Sequence, residues 1–385
     1  MSDTFGAISA DAIHEGRATD AYFERTTAAL EHAGRNPHVV VEVTADQFPT
    51  GEFEVFAGIE SVAQLFEGRP VDVDALREGR LFDGGPVVRI EGQYLAFAEL
   101  ETALLGLLSQ PSGFATAALE VRLAAPDSLV LSFGARHVHP TIASVVERAA
   151  LVAGLDGISH VAAADVLGRE ASGTMPHALV LAFGDGNQDE AWRAFHASAP
   201  ADAPRIALTD TFRDEVTESL LAAETLGEDL DGVRLDTPAS RRGNFRDIVR
   251  EVRWELDARG YEDIDVFCSG GLGPDALQEL SDVADGFGVG SAITSADPVD
   301  FSLDLVELDG EATAKRGKLS GVKEVYRTPD GGHHVALKDA PGPDDSERLL
   351  EPLVRSGEVV REFDLTAATD RCLADAATVG FERSL

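Results

Sequence analysis

Two glycine-rich segments carry the clearest chemistry in the sequence: Ser269-Gly270-Gly271-Leu272-Gly273-Pro274 and Gly288-Val289-Gly290-Ser291. Each follows a short apolar run. Glycine lets a phosphate come close to the backbone, and bare N–H groups at such turns are its donors. Pro274 fits the first turn of a helix, whose N-terminus attracts anions. The same segments would also serve as plain tight turns, but their pairing at late positions favours phosphate.

Arg234 and Asp236 are two residues apart, so on a strand both point to one side. Together they could serve a phosphate and a sugar hydroxyl, or form an internal salt bridge. His177 follows Gly173-Thr174-Met175-Pro176 and is either structural or a reactive imidazole. Arg136, His137 and His139 could bind a carboxylate, a phosphate or a metal, without the spacing of a zinc site. Cys268 ends an apolar run and reads as a small core residue. The four lysines, Lys315, Lys318, Lys323 and Lys338, all fall in one short stretch. The cheapest reason for that clustering is a polyanionic ligand.

These groups need a scaffold that brings strand ends together. Seven short apolar strands are expected at Leu129–Phe133, near Gly157–Val161, and at Leu179–Phe183, Ile206–Leu208, Val233–Leu235, Ile264–Cys268 and Gly286–Val289. Helices alternate with them, such as Phe245–Leu256 with one apolar face. Such strands imply parallel pairing, and a β/α barrel, irregular or incomplete, fits better than an open sheet with a glycine fingerprint. The strand ends then present Phe133 to His139, Ser159 and His160, Asp210 and Thr211, Arg234 to Thr237, and the two glycine loops.

Before this region the pattern predicts helix over Thr19–His32, strands at Val39–Val43, Glu52–Phe56 and Val87–Ile90, and helices over Leu100–Leu108 and Ala115–Leu123. After it, strands are expected at Phe301–Leu308, Val325–Arg327 and His334–Leu337. This tail is too short for its own core and should pack on the N-terminal sheet. The fold class is therefore α/β: an irregular β/α barrel (116–296) inserted in an α/β sandwich formed by the N-terminal part (1–115) and the C-terminal part (297–385).

The net charge of −36 argues against nucleic acid as a partner, because no basic stripe is present. At 44% hydrophobic the chain folds, and the charge suits a high-salt, halophilic cytoplasm where self-repulsion is screened. Cys268 and Cys372 are the only cysteines, so no disulfide framework is expected. No secretory signal and no membrane-spanning run is apparent, and a cytoplasmic protein is expected.

The set Thr19-Asp20-Ala21-Tyr22, Glu101-Thr102-Ala103-Leu104-Leu105, Phe133-Gly134-Ala135-Arg136, Gly173 to His177, Arg234-Leu235-Asp236 and Lys315 to Arg327 resembles nicotinate phosphoribosyltransferase, nearest its short archaeal form. The ordered combination spans nearly the whole chain. The resemblance implies a type II phosphoribosyltransferase fold and a homodimer with shared sites. It implies conversion of nicotinate and phosphoribosyl pyrophosphate to nicotinate mononucleotide and pyrophosphate, with Mg²⁺ and with ATP as co-substrate. In that pattern Phe133 stacks on the pyridine ring and Tyr22, or its neighbour Phe23, covers the other face from the partner subunit. Arg136 lies beside the ring. Ser159 stands where nicotinamide-using relatives carry an aspartate, which favours an acid substrate. Asp236 holds ribose hydroxyls with Arg234 near the phosphates. Thr174 and Ser269 belong to the same site, and Gly270, Gly271, Gly288 and Gly290 cradle the 5′-phosphate. His177 becomes a transient phosphohistidine, and Lys315 contacts pyrophosphate. A zinc knuckle found in some archaeal relatives has no counterpart after Cys268 beyond Cys372, so no zinc is expected.

Two rivals remain from the residues alone. Quinolinate phosphoribosyltransferase would need several basic groups for two carboxylates. A barrel aldolase or isomerase would need a barrel lysine or a carboxylate pair. The barrel region has no lysine.

Overall fold

The computed structural model describes residues 5–49, 53–200 and 203–381. The chain divides into two compact units. One takes in the N-terminal part through Thr116, Val152–Gly154 and the chain from Ala296 onward; the other takes in Ala117–Leu151 and Leu155–Ser295.

The second unit is built on a six-stranded, all-parallel sheet. Its order is Gly157–Ile158, Leu129–Ser132, Gly286–Val289, Asp265–Cys268, Gly232–Leu235, Ile206–Leu208. The strands are short and mostly buried, as parallel strands covered on both faces must be. The register pairs Leu208 with Arg234, Leu235 with Cys268, and Val289 with Ser132. The residues that follow these strands therefore emerge along one edge, where parallel α/β sheets place their sites. The helix Phe245–Asp257 buries Phe245, Val249, Val252 and Leu256, and Asn244 caps it through the Asp247 N–H.

One expected strand is a helix. His177–Phe183 coils instead of extending, with Pro176 before it and Gly184 after it. Only Val180 is buried in that helix, while Leu181 and Phe183 stand exposed. A short apolar run has no period that separates a strand from a helix. Six strands thus form where seven were expected.

In the first unit a seven-stranded sheet runs Glu311–Ala312, Asp300–Leu308, His38–Gln47, Pro86–Gln93, Val71–Ala75, Glu351–Arg355, Glu358–Val359. Val39, Val41, Val43, Val73 and Ile90 enter its core beside Ile59, Phe66, Leu104 and Leu108. The residues expected as strand Glu52–Phe56 form only Glu54–Val55, and Glu52 lies outside the described residues. A C-terminal helix, Leu365–Val379, also forms where the sequence suggested strands alone.

The two helices expected around Pro111 are one, Glu101–Ala124. Proline removes a helix hydrogen bond and clashes with the carbonyl four residues back. That carbonyl, of Leu107, lies against Gly58, where a Cβ would stand 2.0 Å from it. Ser112 and Thr116 accept the Ala57 and Val55 N–H groups at 3.1 and 2.8 Å, which anchors the helix past its weak turn. Among the described residues no helix is long and apolar enough to cross a membrane.

Candidate active site

The edge of the parallel sheet gathers a connected set of polar side chains. Asp236 follows the Gly232–Leu235 strand and accepts the Ser269 hydroxyl at 2.7 Å from the next strand's end. Gly270 then turns at φ +90°, where a Cβ would lie 2.8 Å from Asp236 Oδ1. Gly271 also has positive φ, at +68°. Consecutive glycines with positive φ adopt backbone geometry of the kind that binds anions. The glycines of the other loop are used differently. A Cβ at Gly288 would fall 2.3 Å from the Phe133 ring, and one at Gly290 would fall 2.9 Å from the Phe133 carbonyl. Their small size seats Phe133.

Arg234 lies in the strand that Asp236 follows. It donates to the Thr174 hydroxyl and, at 3.1 Å, to the Met175 carbonyl, and its guanidinium carbon is 6.0 Å from the centre of the Phe133 ring. Burial pushes Arg234 below its usual value. Burial pushes Asp236 up, but His177, Ser269 and Arg234 more than offset it and hold the carboxyl below its usual range. The depression favours the charged carboxylate of Asp236.

His177 stands at the start of its helix with Nδ1 3.1 Å from the Thr211 hydroxyl. Its Nε2 is 3.6 Å from Asp236 Oδ2 and 3.7 Å from Asp210 Oδ1. Asp236 raises the imidazole, partial burial opposes it, and Asp210 adds to the rise.

Asp210 was visible in the sequence only as a strand-end residue. Its Oδ2 accepts the Asp236 N–H at 2.8 Å, while Oδ1 is buried without a hydrogen-bond partner on the His177 side. Two more buried acids shape the loops. Glu218 collects the N–H groups of Thr211, Phe212 and Arg213 at 2.8–2.9 Å. Glu147 accepts the Ser159 N–H at 3.3 Å. An acid in an amphipathic helix gives no sequence signal of this kind, because the contact depends on which face is buried.

Phe133, Thr174, His177, Arg234, Asp236, Ser269, Gly270 and Gly288 are thus linked by direct contacts or close approaches. Arg136 is exposed, and its charge is felt by Arg234. Ser159 belongs to a separate loop contact with Glu147.

Tyr22 and Lys315 belong to the first unit. Tyr22 is exposed and Phe23 buried. Lys315 is 3.4 Å from Asp304. Lys323 departs from the expected polyanion cluster: it is paired with the buried Glu42 at 2.9 Å and is structural.

Comparison with known proteins decides the family. Residues 20–112 match the N-terminal domain model, and residues 114–304 the C-terminal domain model, of quinolinate phosphoribosyl transferase. A Pyrococcus furiosus structure described as nicotinate-nucleotide pyrophosphorylase is 47% identical, with TM-score 0.95 over 99% of this chain and 100% of its own. The chain is a member of the type II phosphoribosyltransferase family. Nicotinate phosphoribosyltransferase of Mycobacterium tuberculosis is 28% identical over 92% of this phosphoribosyltransferase and 88% of the relative. Human nicotinic acid phosphoribosyltransferase shares the fold at TM-score 0.75 and 19% identity, over 94% of each chain.

Proposed function

We propose that this phosphoribosyltransferase transfers the phosphoribosyl group of phosphoribosyl pyrophosphate to nicotinate, giving nicotinate mononucleotide for NAD biosynthesis. The observation that carries the reading is the Arg234–Asp236–His177–Ser269–Gly270 set beside the half-buried Phe133 ring. In this reading Gly270 and Gly271 take the 5′-phosphate, Asp236 holds ribose hydroxyls, and Arg234 faces the phosphates. The pyridine stacks on Phe133 with Arg136 beside its carboxylate, and Ser159 leaves the acid unopposed.

The pyridine nitrogen bonds to C1 as the C1–O bond breaks, and pyrophosphate leaves with the electron pair. Charge at C1 builds ahead of attack, so the side chains act by orienting the ring and stabilising the leaving group. Mg²⁺ travels with the phosphates as part of the substrate and neutralises their charge. Asp210 and Asp236 would offer hard oxygen ligands to such a cation, the orphaned Asp210 Oδ1 among them.

ATP would couple through His177: a ring nitrogen attacks the γ-phosphorus, ADP leaves, and water later removes the phosphoryl group. Tyr22 and Lys315 would complete the partner subunit's site in a homodimer. The apolar side chains Val161, Val166, Leu181 and Phe183, exposed on two helices, support a covered surface of that kind. The parallel sheet is read as the family's irregular barrel, inserted in a sandwich made by residues 1–115 and 297–385.

Quinolinate is the second reading, favoured by the names of the two matching domain models. Its extra carboxylate needs further cations, yet the second unit has no lysine and Arg234 is already engaged by Thr174 and Met175. Pyrophosphate release that depends on nicotinate supports the first reading. Release only with quinolinate, together with carbon dioxide, supports the second.

A further inference from the structure

Three of the four lysines converge on two carboxylates that sit directly opposite one another. Glu42 and Asp304 are register partners on neighbouring antiparallel strands, so both side chains share one face of the sheet. Both residues are buried, at 1% and 8% exposure. Like charges placed this way repel unless each is matched. Glu42 is matched by Lys323, which also donates to the Gly321 carbonyl and is itself largely buried.

Asp304 is matched differently. One oxygen lies 3.4 Å from Lys315 Nζ and the other 3.0 Å from Lys318 Nζ. The two lysines are joined by a tight turn, in which the Lys318 N–H donates to the Lys315 carbonyl at 3.1 Å and Gly317 takes φ +97°. Lys318 also donates to the Ser302 hydroxyl at 3.3 Å. Lys315 remains 69% exposed. One buried carboxylate thus restrains two ammonium groups, and one of them faces solvent with most of its surface free.

We propose that Asp304 is a positioning residue that sets Lys315 and Lys318 to receive one multivalent phosphate, the pyrophosphate group of phosphoribosyl pyrophosphate. Lysine side chains carry large rotamer entropy, so a ligand that finds them already held loses less on binding. One aspartate between two lysines leaves a net positive charge for the anion while Glu101, which interacts with both Asp304 and Lys315, holds its proton. Glu42 and Lys323 are the internal contrast: the same pairing one register position across, closed on itself and structural. The proposal rests on the phosphoribosyl transfer reading, with Lys315 as the pyrophosphate contact.

The test compares Asp304→Asn with wild type in steady-state kinetics and in calorimetric titration with inorganic pyrophosphate. Asp304→Asn should raise KM for phosphoribosyl pyrophosphate about tenfold, with kcat and the nicotinate KM within about twofold. Pyrophosphate affinity should fall by a similar factor. Asp304→Glu should restore part of both. Asp304→Asn combined with Lys315→Ala should fall short of additive, because part of the Asp304 effect runs through Lys315 and the rest through Lys318. Lys323→Met should lower the unfolding midpoint without that KM split. Unchanged KM and pyrophosphate affinity in Asp304→Asn overturn the proposal, as does additivity with Lys315→Ala or a fall in kcat that tracks lost stability. If wild type forms no nucleotide, the transfer reading fails on its own. The titration then decides this proposal: weaker pyrophosphate binding in Asp304→Asn upholds the restraint, and equal or no binding overturns it.

Discussion

His177 Nε2 lies 3.6 Å from Asp236 Oδ2, and that approach ties the imidazole to the carboxylate beside the Ser269-Gly270-Gly271 turn. Asp236 raises the histidine above its ordinary 6.5, partial burial works against it, and Asp210 adds to the rise. A raised histidine contributes stability that is fully present below the unfolded value and lost as pH rises through the folded value. Labelling of His177 by ATP needs an unprotonated ring nitrogen, so it should fall as pH drops through the raised value. Asp236→Asn should move that fall to lower pH, read by histidine NMR titration alongside phosphate labelling. An unmoved titration in the variant would show that Asp236 does not set the histidine.

Asp236→Asn should also weaken phosphoribosyl transfer. A charge-assisted hydrogen bond to the ribose would be lost, and kcat/KM for phosphoribosyl pyrophosphate should drop about 10- to 100-fold. The unfolding midpoint should also fall at neutral pH, because the depressed carboxyl contributes stability there and asparagine keeps only an oxygen for the Ser269 hydroxyl. A drop confined to the nicotinate KM would place Asp236 elsewhere in the reaction.

Gly288→Ala separates two meanings of a glycine loop. Gly288 has an ordinary backbone angle, so its size is what matters, and the added Cβ would meet the Phe133 ring at 2.3 Å. The ring must shift, at about 1–3 kcal/mol for overpacking. The nicotinate KM should rise while the KM for phosphoribosyl pyrophosphate stays near wild type. Gly270→Ala, strained at φ +90° and pressed on Asp236, should do the reverse. Initial-rate measurements with each substrate varied in turn decide between the patterns.

Glu101 gives a pH-linked stability change. Burial pushes its carboxyl up to about 7, Asp304 pushes the same way, and Lys315 pulls against both. Between the ordinary 4.5 and about 7 the native state holds this proton more tightly than the unfolded chain. Stability from this group therefore falls as pH rises across that window. Glu101→Gln removes the titration and should raise the urea midpoint at pH 8 more than at pH 5. Equal gains at both values would contradict the assignment.

The parts legible in the sequence were those with a local rule behind them. The two-residue spacing of Arg234 and Asp236 does place both side chains in one site, because strands alternate with period two. The glycine pair at 270–271 was readable as a turn, and both residues take positive φ. Gly288 was legible as a glycine position but not in its reason, since the Phe133 ring comes from a strand more than 150 residues earlier. The Leu179–Phe183 run was ambiguous by period, and the helix past Pro111 depends on Ser112 and Thr116 finding Ala57 and Val55. Asp210 and Glu147 gave no signal because their roles come from burial and strand register. The lysine cluster was real in composition, yet Lys323 answers to Glu42 while Lys315 and Lys318 share Asp304.

A competition among the three pyridine substrates decides which one the enzyme uses. Purified protein in molar KCl, with Mg²⁺, ATP and phosphoribosyl pyrophosphate, is given equal nicotinate, nicotinamide and quinolinate, and the nucleotide products are resolved by mass. A nicotinate phosphoribosyltransferase gives nicotinate mononucleotide and one pyrophosphate per nucleotide, with the nicotinate consumed and no carbon dioxide released. Nicotinamide mononucleotide as the main product, carbon dioxide released from quinolinate, or no nucleotide at all would contradict that reading.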